Sequence, residues 1–281
     1  MKIAKYWYKE NQLAKDNEEN EYNLVCWAGS DISEEDARQK ALTRMQNWIA
    51  RLANGAQALG DYEYQTGEIR EELIEEIYND NQQLIAAITR NRYGALVLNT
   101  DAVVIADVDV QRKTIVEFFL GLFGKKTDKR AQCLAHIQAC HAQHYPQLNF
   151  IIYETYAGFR VIITGHNHSP ADAQTKALFE QLNTDKLYAT LCRVQACFRA
   201  RLTPKPWRCH SSVPQHRFPR LTAVQQTAFA NWKQIYEQNS EKYAVCYKVM
   251  QLGKHYIPSE IDKIITLHDD YVLKRDKLPL A

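Results

Sequence analysis

The order of apolar patterns along the chain predicts an α+β fold. Short alternating apolar runs cluster into hairpins, and amphipathic helices interrupt the hairpins instead of alternating with single strands. The 281 residues are 46% apolar and 24% charged, an ordinary globular composition with enough length for a substantial core. The chain has no G-x-G-x-x-G and no Walker lysine loop, which argues against a doubly wound nucleotide-binding sheet.

Lys2–Lys9 alternates around Ile3, Tyr6, Trp7 and Tyr8 and reads as a strand, with Tyr22–Ala28 as its neighbour across a polar loop. Ser33 has the chemistry of a helix N-cap, with Glu34, Glu35 and Asp36 in the first turn, where acids complement the helix dipole. Ala37, Ala41, Met45, Trp48, Ile49 and Leu52 then follow the helical period, and Asn54-Gly55 ends it. Ile69–Tyr78 has helical propensity, with Leu73, Ile74 and Ile77 on its apolar side. Gln83–Thr89, Ala95–Asn99 and Ala102–Val110 read as three strands of an antiparallel meander.

Ile115–Phe123 begins an apolar helix, and Ala131–His144 is a second one. Phe150–Thr155 and Arg160–Thr164 flank Ala157-Gly158 as a β-hairpin. Ser169-Pro170 opens a helix running to about Leu182. Ala223–Asn239 and Ser259–Leu273 are the closing helices. These elements divide into an N-terminal α/β unit at 1–90, a sheet core carrying the site at 91–222, and a C-terminal helical segment at 223–281.

Seven cysteines without a C-x-x-C pair, no apolar run near the roughly 18 residues of a membrane span, and no signal-type N-terminus point to free thiols in a cytoplasmic protein. Cys133, His136 and Cys140 have helical spacing and read as core cysteines and a surface histidine. The net charge of +2 gives no whole-protein field for a polyanion, so any such role falls to a local patch.

Two local features carry chemistry. In VVIADVDVQ, an apolar strand ends in Asp107 and Asp109, which point to one face because strand side chains alternate. Two carboxylates that close repel, a conflict that Mg²⁺ or Mn²⁺ relieves while bridging to substrate phosphates. Arg193, Arg199, Arg201, Lys205 and Arg208 fall within sixteen residues, interleaved with Phe198 and Trp207. Guanidinium groups grip phosphate bidentately, and aromatic rings stack on bases, so this stretch suits a phosphate-and-base ligand.

The order of these parts resembles the archaeo-eukaryotic primase superfamily, in its primase-polymerase branch. Asp107-Val108-Asp109 resembles that family's first acidic motif. Thr184-Asp185-Lys186-Leu187-Tyr188, Arg193 and the run Phe198–Lys205 resemble its last. The likeness spans about Ala95 to Arg208. It implies an antiparallel, RRM-like sheet with helices packed on it, flanked by the N-terminal unit and the C-terminal helices. It also implies Asp185 as a third metal-site acid and Arg201 and Lys205 facing a triphosphate or primer-template. The family's phosphate-contacting histidine on the second hairpin strand is missing here, and Arg160 stands in its place.

The leading expectation is therefore a Mg²⁺- or Mn²⁺-dependent nucleotidyltransferase. Asp107, Asp109 and Asp185 would hold the metal, and Arg160, Arg199, Arg201 and Lys205 would hold nucleotide triphosphate or nucleic acid. The alternatives are a non-catalytic nucleotide- or nucleic-acid-binding protein on the same scaffold, or an interaction protein presenting its C-terminal helices.

Overall fold

The computed structural model describes residues 3–55, 69–110, 128–273 and 278–281. The fold is α+β, with antiparallel sheets and helices packed on them. β1 (Tyr6–Lys15) and β2 (Glu21–Ser30) form a two-stranded ribbon covered by α1 (Glu34–Ala53). Ser33 caps α1 by accepting from the Asp36 amide, as expected. This unit has its own small core of Cys26, Ala28, Ala41 and Met45.

Two four-stranded sheets make up the body. One has the order β3 (Glu72–Tyr78), β4 (Leu84–Arg90), β5 (Leu96–Thr100), β9 (Phe198–Arg201). The other has the order β10 (Cys246–Leu252), β7 (Asn149–Thr155), β8 (Gly158–Thr164), β6 (Val104–Asp109). The helices of the body are α2 (Lys129–His144), α3 (Ala173–Gln181), α4 (Lys186–Gln195), α5 (Ala223–Ser240) and α6 (Ser259–Val272). No helix among the described residues is long and apolar enough to cross a membrane. All seven cysteines are free.

Two sequence expectations are corrected, and a third falls outside the described residues. Glu72–Tyr78 is an edge strand and not a helix. Its acids pair with cations of neighbouring elements, Glu72 with Arg90 and Arg220 and Glu76 with Lys5, and those long-range ion pairs leave no trace in local propensity. The meander is also incomplete. β9 occupies the place beside β5, with Val97 opposite Arg201, while β6 crosses to the second sheet and pairs with β8. The body accordingly has two sheets and not one. The expected helix at Ile115–Phe123 lies outside the described residues.

The sheets meet at a seam where β6 runs beside β9. Two carbonyls on the outer edge of β6 are met by the start of α4: the Asp185 amide donates to the Asp107 carbonyl at 2.9 Å, and the Tyr188 hydroxyl donates to the Ile105 carbonyl at 2.6 Å. The same hydroxyl accepts from the Arg199 amide of β9. Arg160 of β8 crosses the seam to donate to the Arg201 carbonyl at 3.0 Å. Gly158 permits the closest approach of β8 to β6, since a Cβ there would lie 2.1 Å from the Val108 carbonyl oxygen.

Candidate anion-binding site at the sheet seam

The acidic strand end lies at this seam. Asp107 sits opposite Arg160 and Asp109 opposite Gly158 in the β6–β8 register. Because the Asp107 carbonyl is turned outward to Asp185, this is the closely spaced kind of cross-strand pair, with Cβ atoms on the order of 5 Å apart. Burial raises the Asp109 carboxyl above its ordinary range, and Asp107 and Asp185 push it the same way, against Lys205 and Arg208. Asp107, Asp109, Asp185, Lys205 and Arg208 therefore act on one another electrostatically.

The metal chemistry expected of them is overturned. Among the described residues, no group of three or more His, Cys, Asp or Glu is placed to hold a metal ion. The physical reason is visible at Asp185, whose carboxylate caps α4 by accepting from the Tyr188 amide at 2.7 Å. Glu154, the other acid nearby in sequence, is paired with Arg130. The expectation of a Mg²⁺- or Mn²⁺-dependent nucleotidyltransferase falls with the metal site.

The four cationic candidates separate by partner. Arg199 and Arg201 share a face of β9, as alternation requires, yet Arg199 is committed to the structure through Glu71 and Gln195. Arg160 is buried and is held by the Arg201 carbonyl and by His268 Nε2 at 2.9 Å. Arg201 has no ion-pair partner among the described residues, and its Nε is buried without a hydrogen bond. Burial first, and Arg160 next, bring its guanidinium down to about 10. Lys205 is also lowered, by burial and then by Arg201 and Arg208, which each act on it more strongly than Asp107 or Asp109. At Lys205 the surrounding field is therefore positive despite the aspartates. Burial likewise lowers Arg208.

The segment carrying these groups is pinned. The Tyr236 hydroxyl of α5 bonds with Thr203 Oγ1 at 2.8 Å and donates to the Pro204 carbonyl at 2.6 Å. A one-turn 3-10 helix, Pro206–Arg208, then presents Trp207 and Arg208. Lys205 lies over the Trp207 ring, and Arg208 lies 4.1 Å from the Tyr156 ring centroid. Trp207 is 51% exposed and Tyr156 52% exposed, so two aromatic faces flank the cations. Tyr156, and the reach of His268 into the site, are what sequence reasoning missed. The run His268-Asp269-Asp270 is visible in the sequence, but the partner of His268 on β8 is 108 residues away.

His166 occupies a different place. It lines a cavity of about 150 Å³ with Val103, Thr164, Asn167, Tyr256 and Ile261, at the opposite end of β6 and β8 from Asp109 and Gly158. Burial lowers its imidazole, and His168 adds to that.

Comparison of the chain with protein-family models, with curated proteins and with solved structures finds no match in any of the three.

Proposed function

We propose that this chain binds a phosphate-bearing ligand of the nucleotide or nucleic-acid class without transforming it, and that Arg201, Lys205 and Arg208 are the phosphate contacts. The single observation that carries the reading is the orphaned cationic cluster. Three cations crowd one segment, none has an ion-pair partner among the described residues, and one has a buried, unpartnered N–H. Crowding like charges in a partly buried place costs free energy that an anion returns. A phosphate chain supplies the acceptors, and the Trp207 and Tyr156 faces suit the bases attached to it.

The same reading makes the chain a divergent relative of the primase-polymerases that keeps the scaffold and the phosphate grip without the metal chemistry. The RRM-like element is then the sheet β10-β7-β8-β6, which carries the acidic strand on its edge with the hairpin beside it. Its support is the pairing of Gly158-Phe159-Arg160 against Asp107-Val108-Asp109.

The test is equilibrium binding of a fluorescein-labelled oligothymidylate, and of ATP in competition with it. Affinity should fall steeply between about 50 and 200 mM salt, since each displaced counterion steepens the dependence. Arg201→Gln with Lys205→Gln should weaken binding about a hundredfold or more, as two charge-assisted contacts of roughly 1.5–3 kcal/mol each are lost. Arg193→Gln, at an exposed position at the end of α4, should change little. Binding that ignores salt, or that survives the double substitution, rejects the reading.

A further inference from the structure

The phosphate reading leaves one buried group unused. His268, on α6, is fully buried, and its two ring nitrogens face opposite kinds of partner. Arg160 lies 2.9 Å from Nε2, and a guanidinium only donates, so Nε2 must be an unprotonated acceptor. Asp269 Oδ1 lies 2.9 Å from Nδ1, so the ring proton sits there. The Tyr153 hydroxyl of β7 donates to the same carboxylate oxygen at 2.7 Å, and Lys248 of β10 lies 3.7 Å from the other. The Cys246 thiol of β10 also feels Arg160 and Asp269.

Resting on the reading above, we propose that His268 is a positioning residue that holds Arg160 in place without cancelling its charge, and so keeps the seam electropositive for the anion. A carboxylate in the same position would grip Arg160 more strongly and would neutralise it. A neutral imidazole supplies the lone pair and no charge. Asp269 fixes the tautomer that does this, while Tyr153 and Lys248 occupy the carboxylate so that its charge is spent away from Arg160. The held guanidinium in turn donates to the Arg201 backbone. At the Arg201 side chain, the repulsion from Arg160 outweighs the attraction of Asp107. Burial keeps the His268 imidazole down at about 4, so the arrangement persists throughout the neutral range.

The discriminating experiment compares His268→Gln with His268→Glu, using inorganic tripolyphosphate as the probe in titration calorimetry at neutral pH. Both side chains offer Arg160 an oxygen acceptor, and only glutamate adds a negative charge. The expected result is an affinity within about threefold of wild type for glutamine and a loss of about tenfold or more for glutamate, the difference that a charge-assisted contact makes. Equal affinities for the two variants, whether both normal or both weak, overturn the proposal, because a merely structural role does not distinguish them. A wild-type protein that takes up no tripolyphosphate overturns the binding reading together with this one. Nitrogen-15 spectra of the wild-type protein give an independent check needing no variant. His268 should be neutral and protonated on Nδ1 between about pH 5 and 8, and an imidazolium or an Nε2-protonated ring there refutes the proposal.

Discussion

His268 joins the chemistry of the site to the stability of the fold. Its imidazole is lowered by burial from 6.5 to about 4, so the unfolded chain binds a proton that the folded one refuses in that interval. Stability should therefore fall as pH drops from 6.5 towards 4, by about 3 kcal/mol at the order of magnitude. Burial raises the neighbouring Asp269 carboxyl, but hydrogen bonds from His268 and Tyr153 together with the charges of His268 and Lys248 hold it below its ordinary range, so its own loss begins only at more acid pH. Urea unfolding at a series of pH values should show the decline in wild type and a flatter profile in His268→Gln. Identical profiles would mean that His268 titrates normally in the folded protein. The same contrast of partner and no partner explains why five neighbouring basic residues are not equivalent. The sequence predicts their crowding, but Glu71 removes Arg199 from play and leaves Arg201 for a ligand.

At the scale of elements, Tyr188 decides how the sheets meet. Its hydroxyl donates to the Ile105 carbonyl on one strand and accepts from the Arg199 amide on another, and burial pushes its own ionisation far upward. Tyr188→Phe keeps the ring packed against Phe179 and deletes the hydroxyl's bonds, including its contact with the Arg199 carbonyl. It should cost about 1–3 kcal/mol, because a buried carbonyl and amide lose a partner. Hydrogen exchange should locate the loss at β6 and β9. An unchanged denaturation midpoint would mean that water replaces the hydroxyl at no cost. Most helices other than α4 were legible in the sequence because the period and the caps are local, as with Ser33 for α1. The neighbouring pairs β1–β2, β4–β5 and β7–β8 were legible as pairs, but β3 was read as a helix, β10 was not read as a strand, and the long-range partners of β5 and β6 were not found. Nothing near Ala102–Val110 says that the place beside β5 belongs to a segment a hundred residues later. In Glu72–Tyr78, strong helix formers were overruled by pairing with β4 and by ion pairs across the sheet.

The whole molecule divides its apolar interior unevenly. One large cluster spans both sheets and the helices on them, while Cys26, Ala28, Ala41 and Met45 form a small separate core under α1. Met45→Ala should destabilise that N-terminal unit by roughly 2–5 kcal/mol, the range for truncating a buried methionine. Amide protection should then be lost in β1, β2 and α1 while the two large sheets keep theirs. Loss of protection everywhere would show that the chain unfolds as a single cooperative block. The aspartates, arginines and lysine of the site were legible as a neighbourhood, because motif order along the chain survives folding. Their chemistry was not, since it depends on where Asp185 spends its carboxylate and on which cation is left over.

The seam also governs how the body carries strain. The two large sheets share no continuous backbone ladder there; among the described residues, Tyr188 and Arg160 are hydrogen-bonded ties across it. Arg160 is rooted in one sheet and grips the backbone of the other at Arg201, the residue proposed above as a phosphate contact. On the proposed reading, a ligand on that side chain would pull on both halves of the body at once, as a rivet between them.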